Sequence, residues 1–161
     1  MNPDNAGADH QTCDVLVIGG GPAGSTVSPL LAGKGHRVVM LEKAHHPRFH
    51  IGESLLPANL PLLERLGVAE EVRAIGQHKP GAEFVSPHHA HTQTFEFADA
   101  WDKSMPFAYQ VKRAEFDEIL FRNAARKGVE VHEGCRARSV EFLADQTVRV
   151  HAEHDDGRTS V

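Results

Sequence analysis

The segment "VLVIGGGPAG", Val15 to Gly24, constrains the fold of this chain more than any other stretch. Val15 to Ile18 is a short, unbroken apolar run, the pattern of a buried parallel strand. It stops at a glycine cluster in which Gly19, Gly21 and Gly24 match G-x-G-x-x-G. That spacing has a mechanical reading. Gly19 permits a tight turn, Gly21 lets a pyrophosphate approach the backbone, and Gly24 lets the following helix pack closely on the strand. Pro22 and Ala23 complete the loop and count with the glycines as cofactor-binding positions. The predicted helix runs on through "STVSPLLAGKG", and its free N–H groups and dipole suit phosphate. Pro29 removes the bond back to Ser25 and predicts a kink. "HRVVMLEK" then reads as a second strand ending at Glu42, which completes a βαβ unit.

Glu42 follows Gly24 by eighteen residues. A carboxylate there accepts hydrogen bonds from adenosine ribose hydroxyls and disfavours a ribose phosphate by like charge. A plain turn and a solvent-facing strand end would look similar at the glycines alone. The spacing does not separate FAD from NAD.

The 161 residues suffice for one modest domain, α/β in class. Acidic residues outnumber basic ones by 22 to 17, a formal charge of -5, which argues against a nucleic-acid partner. No window has the apolar length of a membrane span, so no membrane partner is expected. Residues 1–12, "MNPDNAGADHQT", lack the basic start and apolar run of a signal peptide and read as a disordered tail. A cytoplasmic location is expected. Cys13 and Cys135 suggest no disulfide scaffold. The 12 histidines, including His45, His46, His88, His89 and His91, fall near prolines in polar turns, and no metal site is expected.

Further along, "NLPLLERL" reads as a short helix stopped by Gly67. Gly81–Ser86 and Thr92–Ala98 read as strands around a histidine-rich turn. "VKRAEFDEILFRNAARKG" is the clearest helix, with Phe116, Ile119, Leu120 and Ala124 on one face and Gly128 as its stop. "VEVHEG", "ARSVEFLA" and "TVRVHAEH" follow as strands, the last two a hairpin around Asp145 and Gln146. "DDGRTSV" turns toward another strand and the sequence ends there, so the expectation is the N-terminal portion of a longer domain.

The combination of "VIGGGPAG", "LEK", "PRFHIGESLLP" and "VKRAEFDEILFRNAARKGVEV" resembles the FAD-binding part of the flavin-dependent halogenases. It is most similar to the branch acting on phenolic or pyrrolic substrates, within the aromatic-hydroxylase-like FAD-dependent oxidoreductases. The resemblance covers residues 13–161. It implies a Rossmann-like FAD-binding fold with glutathione-reductase/aromatic-hydroxylase topology, most of the substrate domain being absent. FAD is the implied cofactor, with Lys43 beside Glu42 in "LEK". By resemblance Arg48 approaches the cofactor, and Ile51 to Ser54, with Gly52, form part of the flavin-side wall. The chemistry fits. An arginine fork pairs with phosphate or ribityl oxygens, a glycine admits close backbone approach, and a serine both donates and accepts. The same stretch also suits a surface loop in which Ser54 caps the "LLP" segment. Arg113, with Gln110 nearby, is implied at the ribityl or pyrophosphate region. At the start of a helix its charge is otherwise mildly disfavoured.

Lys79, in "GQHKPGAEF", matches the lysine that such halogenases use for halogen transfer. The implied activity takes reduced FAD, oxygen and chloride or bromide. It delivers hypohalous acid to Lys79, beside an electron-rich aromatic substrate that a carrier protein can tether. A separate flavin reductase is an implied partner. An amine suits the task, being a donor when charged and a nucleophile when neutral. A solvated lysine in a polar loop before Pro80 is the plainer reading. The "W-x-W-x-I-P" and "G-D-A" segments of the family are not in this sequence, and Trp101 does not supply the first. Three readings stay open: a halogenase part, a monooxygenase or geranylgeranyl-reductase-like oxidoreductase, and a non-catalytic fragment.

Overall fold

The computed structural model describes residues 10–161. In chain order the elements are β1 (Val15–Ile18), α1 (Pro22–Ala32), β2 (Val38–Leu41), α2 (Leu60–Leu66), α3 (Ala69–Ile75), β3 (Gln77–Lys79), β4 (Gly81–Val85), β5 (Thr92–Glu96), β6 (Ala108–Gln110), α4 (Arg113–Arg126), β7 (Glu130–His132), β8 (Cys135–Phe142), β9 (Val148–His154) and β10 (Thr159–Ser160). They form two compact units. One comprises Met1–Arg48 and Leu120–Val161, of which residues 10 onward are described; the other is Phe49–Ile119.

In the first unit β2 is the central strand of a parallel sheet ordered β1-β2-β7. All four of its residues are buried, because both its faces are covered. Val38 and Met40 pack with Phe121, Ala124 and Val129, and with Leu31 and Ala32 of α1. Val39 and Leu41 face the other way, into a cluster with Cys135 and Ala152 of the antiparallel sheet β10-β9-β8. Alternation along one strand thus feeds two cores, each buried side chain contributing roughly 1.5–3 kcal/mol. Helix, parallel sheet and antiparallel sheet make three layers, an α/β arrangement as expected.

Several expectations need adjustment. β1 is only half-buried, with Ile18 55 % exposed, because among the described residues it has a sheet neighbour on one side only. Helix α1 runs through Pro29 without interruption. Residues 1–9 of the expected tail lie outside the described residues, but its last part is held down. The N–H of Gln11 donates to the Val161 carbonyl at 3.1 Å and its side-chain amide to Glu130, while the Thr12 hydroxyl accepts from Arg37 at 3.0 Å. The hairpin between β8 and β9 turns where expected, with Gln146 at φ 69° and Asp145 accepting from the Thr147 amide and hydroxyl.

In the second unit β4 and β5 form the expected hairpin. Helix α2 ends at Gly67, whose φ of 77° closes the helix in the left-handed manner. Three further elements are absent from the sequence reading: α3, β3 and β6. Strands of three residues are too short to alternate visibly, and α3 buries only Val72. β6 pairs antiparallel with β3, and residues 53–55 lie along its other edge: the Val111 amide donates to the Glu53 carbonyl and the Leu55 amide to that of Tyr109, both at 2.9 Å.

Phe121 is the hinge of the first unit's core: it is fully buried, packs with Val38 and Met40, and stacks on His46 at 4.5 Å. Phe121→Ala is expected to destabilise the protein by about 3–5 kcal/mol, read as a lower denaturation midpoint. A loss below about 1 kcal/mol would contradict this packing.

Candidate functional site

The glycine loop is built by exclusion. A Cβ on Gly24 would sit 2.0 Å from the Gly19 carbonyl oxygen and 3.1 Å from Val17, so only glycine lets α1 meet β1 there. Gly19 has φ +107° with open space where a Cβ would be. A Cβ on Gly21 would meet only the Nη2 of Arg48, at 3.5 Å. Gly20, which the sequence reading passed over, is as constrained: a Cβ would strike the Phe121 ring at 2.7 Å and Glu42 at 3.0 Å.

These constraints leave the N-terminus of α1 bare. Gly21 is its N-cap, no side chain caps it, Pro22 occupies the first turn, and the turn carries no acid. The Ser25 amide already donates to the Gly21 carbonyl at 2.9 Å. The amides of Ala23 and Gly24 are the first-turn donors of the helix. With a guanidinium beside Gly21, this donor set fits a dinucleotide pyrophosphate.

Glu42 is buried, and it ties the loop together. Its Oε2 accepts from the Gly20 amide at 2.8 Å and its Oε1 from the Ala44 amide at 2.9 Å; Arg48 Nη2 lies 3.6 Å from Oε2. A carboxylate offers about four acceptor sites, so ribose hydroxyls still find lone pairs. Lys43, next to it, is exposed. The segment leading to Arg48 is pinned from β7's end. Glu133 accepts from the His46 amide at 2.6 Å, contacts the His46 ring at 2.8 Å and receives Arg122 at 3.1 Å. Burial pushes the Glu133 carboxyl up, but the His46 amide and ring and the Arg122 charge outweigh it and hold the group below its usual range.

In the second unit, "IGES" is an exposed stretch with Ile51 74 % exposed and Gly52 at φ +95°. It is held by Arg113, whose Nη1 donates to the Ile51 carbonyl at 2.8 Å. Arg113 is in turn gripped by Asp117, one turn along α4: Nε to Oδ1 at 2.8 Å and Nη2 to Oδ2 at 3.0 Å. Asp117 is fully buried and Arg113 largely so. The aspartate was missing from the sequence reading. The i,i+4 spacing of an Arg and an Asp at the start of a helix was the available signal. Gln110, on β6, pairs with Gln77 on one side and bridges Ser54 on the other.

Lys79 is not in a loop. It ends β3 opposite Ala108. Its Nζ donates to Ser54 Oγ at 2.6 Å, lies 3.5 Å from the Leu55 carbonyl, and sits 5.2 Å from the centre of the Phe97 ring. Two sequence candidates separated by 25 residues thus touch. Among the described residues no three His, Cys, Asp or Glu side chains group to hold a metal ion, and no helix is long and apolar enough to cross a membrane.

A family model described as an FAD binding domain matches residues 12–161. The chain is 44 % identical over 136 residues to a tryptophan 2-halogenase of Chondromyces crocatus, covering 83 % of this chain and 25 % of that protein. It is 41 % identical over 138 residues to the flavin-dependent halogenase armH3 of Armillaria mellea, covering 84 % of this chain and 27 % of that one. Among solved structures, the myxobacterial chondrochloren halogenase CndH superposes with a TM-score of 0.83 at 42 % identity, over 91 % of this chain and 34 % of that chain. The chain spans about a quarter of the length of these curated relatives.

Two expected outcomes follow from the geometry. Asp117→Asn releases Arg113 and the Ile51 carbonyl, and FAD titrated by flavin fluorescence is expected to bind at least about fivefold more weakly, as for loss of a hydrogen bond to a charged group. Unchanged affinity would separate Asp117 from the loop. Glu133 favours its charged form when folded, so its contribution to stability is present above the ordinary glutamate pKa of about 4.3 and is lost as pH falls through the lower folded value. Denaturant titrations from pH 7 down to pH 3 should show a shallower acid loss for Glu133→Gln than for the natural chain.

Proposed function

We propose that this chain, which belongs to the FAD binding domain family, is the FAD-binding part of a flavin-dependent halogenase and that its Lys79 passes halogen to an electron-rich aromatic ring. The observation that carries this reading is the placement of Lys79. Its amine is held by Ser54 Oγ and rests over Phe97, rather than waving from a loop.

The cofactor is FAD. In our reading the amides of Ala23 and Gly24, with Arg48 as counter-charge, would hold its pyrophosphate, and Glu42 would accept from the ribose while locking the loop. The backbone of Ile51 and Gly52, held by Arg113, would serve the flavin. Gln110 and Lys43 are secondary contacts. Bound reduced FAD would supply the oxidising chemistry: with oxygen, halide and a proton it would give hypohalous acid, water and oxidised FAD. The neutral Lys79 amine then exchanges one N–H for N–halogen, releasing water. The aromatic carbon takes the halogen from that nitrogen as its own proton returns the amine. Alternatively the ammonium form hydrogen-bonds the acid and orients it. We propose a phenolic or pyrrolic substrate class, chloride or bromide as halide, a separate flavin reductase, and a cytoplasmic location.

Lys79→Ala, in the enzyme to which this domain belongs, is expected to abolish halogenated product by mass spectrometry while leaving the FAD dissociation constant within twofold. Product at the natural level would overturn the lysine's role. Presenting phenolic, pyrrolic and free tryptophan substrates side by side tests the substrate class; tryptophan alone turning over would reverse it.

A further inference from the structure

We propose that Ser54 is a positioning residue for Lys79: the serine of "GES" serves as the acceptor that aims the amine, and it is not a wall of the flavin site. The inference rests on the reading of Lys79 given above.

The sheet register explains how two distant residues meet. Lys79 stands opposite Ala108, and Ser54 bridges Gln110, two positions along β6. Ala108 and Gln110 point to the same face of β6, since alternate residues share a face. At position 108 that face carries only a methyl group, and the lysine stem can cross it toward the neighbouring edge. Residues 53–55 are fastened to that edge by the Val111–Glu53 and Leu55–Tyr109 backbone bonds, so Ser54 has little freedom to move away. Its Oγ accepts from Nζ at 2.6 Å, the Leu55 carbonyl offers a weaker acceptor at 3.5 Å, and the Phe97 ring lies 5.2 Å from the amine. A lysine has four rotatable side-chain bonds, and these contacts select one direction for it.

The serine hydroxyl has a specific merit as the acceptor. It takes a hydrogen bond from either the ammonium or the neutral amine, so the lysine stays aimed in both protonation states. A carboxylate in its place would pair with the ammonium and hold it charged, suppressing the nucleophilic form. With Oγ occupied as acceptor, the Ser54 O–H proton remains a donor beside the amine.

The test has two readouts. In this chain, acetylation of each lysine by limiting acetic anhydride is followed by peptide mapping. Ser54→Ala is expected to speed modification of Lys79 at least about threefold relative to the other lysines, and Ser54→Thr, which keeps the hydroxyl, to restore the natural rate. In the enzyme to which the domain belongs, Ser54→Ala is expected to lower kcat for halogenation roughly tenfold, the scale of one charged hydrogen bond. More free hypohalous acid should escape to a trap, with FAD affinity changed less than twofold. Unchanged Lys79 modification, or weaker FAD binding with no loss of halogen transfer, would overturn the proposal. The labelling does not depend on halogenation. If Lys79→Ala still halogenates normally, the reading of Lys79 fails on its own terms, whatever the labelling shows.

Discussion

The first unit depends on the buried carboxylate of Glu42. A charge taken out of water is tolerable only with partners, and this one has the amides of Gly20 and Ala44 and the guanidinium of Arg48. The same contacts fasten the glycine loop to the end of β2. The loop is therefore not floppy despite four glycines in six residues. Its backbone is held in shape from behind by an acid and by the Phe121 ring, while a Cβ would meet nothing at Gly19 and only the Arg48 guanidinium at Gly21. Rigidity and bareness together suit a phosphate, since fixed amides can receive an anion without reorganising.

A comparable device organises the second unit. Asp117 is buried and holds Arg113 by two parallel bonds, and Arg113 reaches on to the Ile51 carbonyl. Both units thus use a buried acid to shape a backbone segment, Glu42 through the amides of Gly20 and Ala44 and Asp117 through Arg113.

The glycine spacing, the βαβ order and the helix from Arg113 were legible in the sequence because each rests on local rules: steric limits at glycine, hydrophobic period and helix stops. The family resemblance was carried by contiguous words such as "PRFHIGESLLP" and agrees with the match over residues 12–161. What escaped was short or non-local. Strands β3 and β6, three residues each, show no alternation. Gly20 carries no signal of its own, because the ring that constrains it belongs to Phe121, about a hundred residues on. Asp117 lies in a polar stretch of the helix and is nevertheless fully buried.

What "GES" contributes divides along the same line. The sequence by itself determined a nucleotide-binding βαβ unit, an acid at the end of its second strand and a family-specific segment with a lysine downstream, because these follow from chain-local sterics and from contiguous motifs. Only the tertiary structure decided that Ser54 and Lys79 touch. That contact depends on β6 lying between them with alanine at position 108, and strand pairing is a long-range choice that no window of sequence contains.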